Sequence, residues 1–409
     1  MDEITGQLES DTMKSRPDQR FVRTEFASLT GTPPYIRTPI RSRSGLKRTA
    51  FFPTIGALAT DFKLHNTYIK PDFFTDPVEE YWAMRRCAGL WDVTGEEIIE
   101  IAGQEAEALL DDLMPRDVRK MKKGHCYYSV LCYDSGGIVE DGILVRFDDQ
   151  LFWWIGGPGS SEEWLFANAH GRNVTITSFN DRIHVASLQG PKSREFLQRV
   201  CDSDISNVPF YGMFRADVCG VPVTVTRTGY TAELGYDIYV EVERGAQFFA
   251  DLWDEVSKRG AALCGSRALG IRRVEAAILN FGQDFDWQHS PVEIGLGWMI
   301  SETKSPYRAQ KALTATKANP PGRKLAGLRI EGEEVPLVGD RVLADGKEVG
   351  VVTSATDSPS LGHPLAIAWM DADACALGTQ TSVDYEGRVQ GATVAAMPFF
   401  DPERKLSKA

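Results

Sequence analysis

Residues 132–147 read CYDSGGIVEDGILVRF, and this stretch decides how the surrounding chain folds. The pairs Asp134-Ser135 and Gly136-Gly137 are turn signals that separate it from CYYSVLC at 126–132, which has the composition of a strand. After the turn, IVEDGILVRF reads as a second strand. The sequence therefore predicts a β-hairpin.

Two adjacent carboxylates, Glu140 and Asp141, interrupt the apolar pattern of the second strand. Because neighbouring strand residues face opposite sides of a sheet, only one of them can point into a given cavity. A pocket-facing carboxylate would suit a nitrogen-rich ligand. The local pattern alone favours the alternative, in which both lie at an exposed strand end.

Length, charge and hydropathy narrow the class of protein. At 409 residues and roughly 150 residues per domain, we expect two or three domains. The net charge of -12 opposes binding to nucleic acid or to an anionic membrane. No apolar run approaches the roughly 20 residues of a membrane span.

The N-terminus and the cysteines point to a reducing compartment. The first residues, MDEITGQLESD, are acidic and polar, so we expect no secretory signal. The seven cysteines form no Cys-x-x-Cys pair, which predicts neither a disulfide framework nor a zinc site. These observations predict a cytoplasmic protein.

Residues 1–50 form a basic arm that differs from the rest of the chain. Its first dozen residues are predicted to be disordered. The basic residues that follow lack interleaved aromatic rings, so an arm lying over the acidic body or a neighbouring subunit is favoured over a nucleic-acid tail.

Between the arm and residue 320, helical and strand patterns alternate. Helices are predicted by residue spacing and by terminal signals at 76–88, 105–114, 160–170, 191–201, 246–260 and 266–282. Strands are predicted at 90–103, 151–160, 183–190 and in 215–242.

The C-terminal part has another character. After a linker at 320–324, short strands with regular turns predict a small all-β barrel or sandwich. The fold class predicted for the whole chain is α+β followed by a β module.

Other chemical signatures are weak. The six histidines show no metal-ligand spacing, and Gly156-Gly157-Pro158-Gly159 is not followed by the Lys-Ser or Lys-Thr of a phosphate loop. We therefore predict no metal site.

An ordered set of blocks resembles the folate-binding aminomethyltransferase family, which includes the glycine-cleavage T-protein and folate-dependent demethylases. The resemblance covers residues 50–402. Its blocks are LWDVTGE (90–96), GGIVEDGILV (136–145), LQGPKS (188–193), TRTGYTAELGYDIYV (226–240), GSRALGIRRVE (265–275) and NFGQDFDWQHSPVEIGLGW (280–298).

The resemblance implies three domains arranged as a cloverleaf around a central folate channel, with tetrahydrofolate as cofactor. Domain 1 would comprise 51–93 plus 180–278, and domain 2 would comprise 94–179 plus 279–320. The C-terminal β-barrel domain would be 321–409.

The same resemblance assigns the acidic site residues. Asp141 takes the place of an acidic residue beside the reactive nitrogens of the folate, which makes it the catalytic candidate. Asp237 takes the place of a glutamate that hydrogen-bonds the pterin ring. A carboxylate suits that role because it accepts two parallel N–H bonds.

Four further folate-binding residues are carried over in the same way. Tyr230 and Trp298 match aromatic residues that line the pocket. Arg267 and Arg273 fall in the arginine motif, where either a folate contact or a structural network with Glu275 is expected.

The branch of the family depends on the segment after Asp92. Aminomethyltransferases carry Asp-Val-Ser-His-Met-Gly, whereas this chain has Asp-Val-Thr-Gly-Glu-Glu at 92–97. This replacement and MPRDVRKMKKGHCYY at 114–128 resemble the dimethylsulfoniopropionate demethylase branch. Glu-Asp-Gly at 140–142 is closer to the aryl O-demethylases.

The resemblance therefore implies transfer of a methyl group from a small S-, O- or N-methylated substrate to N5 of tetrahydrofolate. An aminomethyltransferase and a non-catalytic folate-binding protein are the alternatives.

A set of aromatic residues is a candidate for the substrate pocket. For about half of these residues, we expect plain packing in the hydrophobic core instead. The pocket candidates are Tyr127, Trp153, Trp154, Phe281, Trp287 and His289, with Phe285 beside them. The acid candidates for a methoxy donor are His125, Tyr127, Tyr128 and His289. The expected partner is a small methylated substrate, and formation of a homo-oligomer is left open.

Overall fold

The computed structural model describes residues 47–157, 159–385 and 387–409. The predictions for the first 46 residues, including the disordered start and most of the basic arm, lie outside this part of the chain. The described helices are α1 Phe52–Ile55, α2 Pro77–Arg86, α3 Ala106–Leu113, α4 Ser161–Ala169, α5 Ser193–Val200, α6 Val242–Ser257, α7 Ser266–Glu275, α8 Gln310–Ala318 and α9 Lys405–Lys408.

Strands are spread over the whole described chain. They are β1 Asp61–His65, β2 Tyr68–Phe73, β3 Gly89–Asp92, β4 Glu97–Ala102, β5 His125–Cys132, β6 Ile138–Arg146, β7 Leu151–Gly156, β8 Thr175–Ser178, β9 Ile183–Gln189, β10 Met213–Val218, β11 Val221–Thr226, β12 Gly235–Glu241, β13 Ala262–Leu263, β14 Arg323–Ile330, β15 Arg341–Ala344, β16 Lys347–Ser358, β17 His363–Asp371, β18 Gln380–Tyr385 and β19 Arg388–Ala395.

The first large sheet has six strands in the order β10-β11-β12-β9-β3-β13. Helix α6 packs on this sheet. Its side chains Phe248, Phe249 and Leu252 are buried in a hydrophobic core that they share with residues of the sheet. β12 pairs with β9 so that Asp237 lies opposite Ser187. This register places the Asp237 carboxylate beside a hydroxyl from the neighbouring strand.

The second sheet has five strands in the order β5-β6-β7-β4-β8, and it contains the predicted hairpin. β5 and β6 pair antiparallel, which confirms the hairpin. Gly136 adopts a left-handed backbone with φ of 85°, and a Cβ atom at Gly137 would lie 2.1 Å from the carbonyl oxygen of Trp287. Both positions of the turn therefore require glycine.

The prediction of one strand over residues 90–103 was wrong. The chain forms β3 in the six-stranded sheet, leaves it after Asp92 and enters the five-stranded sheet as β4. The connecting residues pack under the β1–β2 hairpin, where the Lys70 ammonium donates to the Thr94 carbonyl oxygen at 2.7 Å. This crossing brings Glu96 to the point where the two sheets meet.

The C-terminal module is a closed barrel of β14-β17-β16-β15-β18-β19, which confirms the predicted α+β class with a β-barrel. The five-stranded sheet is built from residues 97–178, which are inserted between the first strand of the six-stranded sheet (89–92) and its other strands (183–263), and the barrel is built from residues 323–395. The exact domain boundaries stay a prediction.

Three properties of the described residues bear on function. None of their helices is long and apolar enough to cross a membrane. They contain no group of three or more His, Cys, Asp or Glu side chains placed to hold a metal ion. All seven cysteines, which are described, are free thiols.

Candidate functional site

Glu140 and Asp141 leave strand β6 on opposite sides, and neither lies at an exposed edge. Glu140 is fully buried and accepts hydrogen bonds from the Gly159 backbone N–H at 2.8 Å and from the Ser161 hydroxyl. Burial raises its pKa well above the ordinary value, and the nearby Glu97 carboxylate adds to this rise. Glu140 therefore holds the loop before α4 and the start of that helix.

Asp141 points to the other side, where the Tyr128 hydroxyl donates a 2.8 Å hydrogen bond to its Oδ2 atom. Burial raises the pKa of Asp141 to about 6, against the lowering effect of this hydrogen bond. Burial also raises the pKa of Tyr128 well above its ordinary value, so the phenol remains a donor. The pair provides a group that can exchange a proton near neutral pH.

Asp237 is held by two hydroxyl groups. The Ser187 Oγ atom donates to one carboxylate oxygen and the Thr228 Oγ1 atom donates to the other, both at 2.6 Å. Gln189 fixes this arrangement because its side-chain amide donates to the Ser187 hydroxyl and to the Thr228 carbonyl oxygen. Burial raises the pKa of Asp237. Each oxygen keeps acceptor capacity for a ligand.

Glu96 is a third carboxylate of this region, and the sequence interpretation did not select it as a site residue. Burial raises its pKa to about 7, Lys70 opposes the rise, and the Asp141 and Asp237 carboxylates add to it. Glu96 therefore lies within electrostatic range of both the Asp141 and the Asp237 carboxylates. Its side chain remains 39% exposed, and one oxygen lies 3.9 Å from Nε2 of His65. One feature of the sequence could have identified Glu96 as a site residue. It stands where the Asp-Val-Ser-His-Met-Gly pattern of aminomethyltransferases has methionine.

Tyr230 lies within electrostatic range of Asp141. Its hydroxyl donates to the Leu279 carbonyl oxygen at 2.6 Å, and burial raises its pKa, with Asp141 adding to the rise. The preceding Gly229 packs on Gln189 so closely that a Cβ atom there would lie 2.1 Å from the side-chain oxygen. Gln189 also holds the Ser187 and Thr228 groups around Asp237, so the segment that carries Tyr230 adjoins the surroundings of Asp237.

The two predicted arginines are engaged in ion pairs. The Nε atom of Arg267 lies 2.6 Å from Asp72 on β2. Arg273 is buried, pairs with Asp284 at 2.7 Å and donates to the Ser354 hydroxyl of the barrel at 2.8 Å. The arginine that pairs with Glu275 is Arg272, so a structural network exists with a different member of the motif.

The predicted pocket aromatics do not form one cluster. Trp153 and Trp154 are buried on opposite faces of the five-stranded sheet, in two separate cores. Trp154 donates to the Ser161 hydroxyl at 2.9 Å and Trp153 to Glu100 at 3.2 Å, so both are core residues. Their placement in a common substrate pocket was wrong because adjacent strand residues face opposite sides.

The other pocket candidates occupy three places. Phe281 packs edge-on against Phe285. The His289 ring stacks on Trp369 at 4.2 Å, with Nδ1 2.9 Å from Asp286. Trp287 is 61% exposed and lines a cavity of about 570 Å³ together with Tyr133, Asp134, Ser135, Ser160 and Trp164.

Tyr127 and Trp298 share a neighbour. The Arg116 guanidinium lies 3.8 Å from the Tyr127 ring centroid and 5.3 Å from that of Trp298. Trp298 is 62% exposed. Tyr127 therefore packs at the core that contains Trp154 and, through Arg116, also neighbours Trp298, one of the predicted folate residues.

Comparison with known protein families identifies the family of this chain. The model of the GCVT N-terminal domain matches residues 41–304, and the model of the glycine cleavage T-protein C-terminal barrel domain matches residues 323–401. The chain belongs to the glycine cleavage T-protein family. Its recognition from sequence blocks is thereby confirmed, whereas the demethylase branch is not decided.

Several relatives of this T-protein family chain are aminomethyltransferases. The chain is 32% identical over 364 residues to one from Geobacillus kaustophilus, covering 87% of this chain and 99% of the relative. It is 31% identical over 390 residues to a trimethylamine-oxide aldolase from Ruegeria pomeroyi, covering 90% of this chain and 49% of that protein.

A solved structure supports the fold. The glycine cleavage system aminomethyltransferase T from Bartonella henselae superposes with a TM-score of 0.81 at 22% identity, covering 87% of this chain and 98% of the other. Aminomethyltransferases of this family bind tetrahydrofolate. The residues here fit that cofactor, because the partly buried Asp237 carboxylate is a suitable acceptor for the N–H edge of a pterin.

Proposed function

We propose that this T-protein family member is a tetrahydrofolate-dependent methyltransferase that demethylates a small S-, O- or N-methylated donor. The observation that carries the proposal is Glu96, a partly exposed carboxylate within electrostatic range of Asp141 and Asp237, at the position where the aminomethyltransferase pattern has methionine. The preceding histidine of that pattern is replaced by Gly95. Tetrahydrofolate, when bound, supplies the N5 atom that accepts the one-carbon unit.

The residues of the chain would mainly align the reactants and supply the electrostatic field. Asp237, fixed by Ser187 and Thr228, would orient the ring system. Asp141, fixed by Tyr128, would place a carboxylate near the reacting nitrogen. With a pKa of about 6 it can take up the proton released there.

The carboxylates favour a donor that carries positive charge. A sulfonium or quaternary ammonium group leaves as a neutral molecule after losing its methyl group, so no acid is needed. Glu96 would provide the counter-charge for such a donor. A methoxy donor leaves as an oxyanion and requires a proton donor, for which Tyr128 is the candidate bonded to Asp141.

The relatives support two chemistries. The name of the Ruegeria relative refers to a small methylated nitrogen compound, which agrees with the demethylase proposal. The aminomethyltransferase relatives make aminomethyl transfer from a lipoyl carrier protein the second candidate. A folate-binding protein without transferase activity is the third, and the retained Asp141 and Asp237 oppose it.

The product of the reaction separates these candidates. Purified protein would be incubated with tetrahydrofolate and a panel of S-, N- and O-methyl compounds, and the folate analysed by mass spectrometry. We expect 5-methyltetrahydrofolate with at least one donor, formed at a rate lower by about a hundredfold or more with Asp141→Asn. Release of ammonia from aminomethyl-lipoyl carrier protein, with formation of 5,10-methylenetetrahydrofolate, would establish the second candidate. Folate binding without turnover of any donor would establish the third.

A further inference from the structure

Arg116 lies in the segment between α3 and β5 and faces two aromatic rings. Its Nη1 atom donates to the carbonyl oxygen of Tyr128 at 2.7 Å. The guanidinium lies over the Tyr127 ring and next to the exposed indole of Trp298. The two ring contacts and the hydrogen bond to Tyr128 position the guanidinium of Arg116. Its other N–H groups remain available as donors to a ligand.

Arg116 pairs with no carboxylate within the described part of the chain, although the protein has 57 acidic and 45 basic residues. The next basic residues behave differently. Arg119 pairs with Asp111 at 3.2 Å, and Lys120 pairs with Asp117 at 3.3 Å. Burial lowers the pKa of Arg116. A half-buried guanidinium without a counter-ion is suited to bind an anionic group.

Tyr128 connects Arg116 to the candidate folate site. Its carbonyl oxygen accepts the bond from Arg116, and its hydroxyl donates to Asp141. The two ends of one residue therefore link the guanidinium to the catalytic candidate. Arg267 and Arg273, the arginines implied by the family resemblance, are already paired with Asp72 and Asp284.

Tetrahydrofolate combines the groups that such a surface would recognise. It carries an aminobenzoyl ring between the pterin and a glutamate, and the glutamate has two carboxylates. An exposed indole suits the ring, and the planar fork of a guanidinium suits a carboxylate. The same fork could instead meet a carboxylate on the methyl donor, so the test must separate the two sources.

We propose that Arg116 binds a glutamate carboxylate of the folate and that Trp298 flanks its aminobenzoyl ring. The inference rests on folate binding at this site but not on which one-carbon group is transferred. A failure of the demethylase proposal would therefore leave it standing.

The test compares tetrahydrofolate with tetrahydropteroate, which lacks the glutamate, by anaerobic calorimetry without any donor. For Arg116→Gln we expect a loss of roughly ten- to a hundredfold in affinity for tetrahydrofolate and little change for tetrahydropteroate. The matched control Arg119→Gln, at an ion-paired surface position three residues away, should leave both affinities unchanged.

Two outcomes would overturn the assignment. Equal losses for both ligands would mean that Arg116 acts on the packing of Tyr128 and Asp141. Unchanged affinity for both would assign its free donors to another ligand, such as a carboxylate on the donor. Arg116→Lys provides a second variant that keeps the charge, and it should retain part of the difference between the two ligands because only the planar fork is lost.

Discussion

The hydroxyl of Tyr128 donates a 2.8 Å hydrogen bond to Oδ2 of Asp141, across the two strands of the central hairpin. This contact joins a phenol whose pKa is raised well above its ordinary value to a carboxyl whose pKa is raised to about 6. The phenol keeps its proton throughout the physiological range. Of these two groups, only Asp141 changes charge near neutral pH. Five predictions concern Asp141 and other residues of the site.

Asp141→Asn should preserve the fold and lower the rate of methyl transfer by about a hundredfold or more, because the amide keeps the shape but neither carries charge nor accepts a proton. The measurement is kcat at saturating tetrahydrofolate. A turnover number equal to that of the unchanged protein would remove Asp141 from its catalytic role. Glu140→Gln is not a suitable control, since Glu140 holds the start of α4.

The same variant should change stability with pH. Because the pKa of Asp141 is higher in the folded protein than its ordinary value, the folded state retains a proton that the unfolded chain loses between about pH 4 and pH 6. Ionisation of Asp141 therefore destabilises the folded state as pH rises through this window. Asp141→Asn should raise the melting temperature at pH 8 more than at pH 4. Thermal unfolding at the two pH values checks this, and an equal shift at both would contradict it.

The activity of the unchanged protein should rise with pH through about 6, as Asp141 becomes a carboxylate. Tyr128→Phe removes the hydrogen bond that lowers the pKa of Asp141, so the rise should move to higher pH. The pH profile of kcat/KM measures both. A Tyr128→Phe profile that is merely lower at every pH, with the same midpoint, would show a structural role for the hydroxyl.

Glu96→Gln should weaken use of a cationic methyl donor by roughly tenfold while leaving tetrahydrofolate affinity nearly unchanged, because one carboxylate near the donor loses its charge. Glu96→Met, the residue of the aminomethyltransferase pattern, should behave in the same way. KM for the donor and calorimetric affinity for folate are the two readouts. If both variants used a cationic donor as well as the unchanged protein does, Glu96 would not be its counter-charge.

Asp237→Ala should mainly weaken folate binding. Loss of a charge-assisted acceptor costs about 1.5–3 kcal/mol, which is roughly ten- to a hundredfold in affinity. Ser187→Ala, which removes one of the two hydroxyls that hold Asp237, should have a smaller effect in the same direction. Calorimetry with tetrahydrofolate gives both values, and an Asp237→Ala affinity equal to that of the unchanged protein would exclude the pterin assignment.

The sequence by itself determined the local elements and the family. The hairpin at 126–147 follows from alternating apolar residues and from two turn glycines. Gly136 has a left-handed backbone, and Gly137 lies too close to the Trp287 carbonyl oxygen for a side chain. The C-terminal barrel follows from short strands with regular turns. The same alternation predicted that Glu140 and Asp141 face opposite sides, and they do. These features are encoded by neighbouring residues.

Only the tertiary structure decided which distant side chains meet. Glu96 comes within electrostatic range of Asp141 and Asp237 because the chain crosses from one sheet to another after Asp92. Trp153 and Trp154 belong to separate cores because both faces of their strand are covered. Arg116 lies next to Trp298, which is 182 positions away in the sequence, whereas Arg267 and Arg273 form ion pairs with carboxylates. Such pairings depend on the packing of sheets and loops far apart in the chain, which no local pattern of residues specifies.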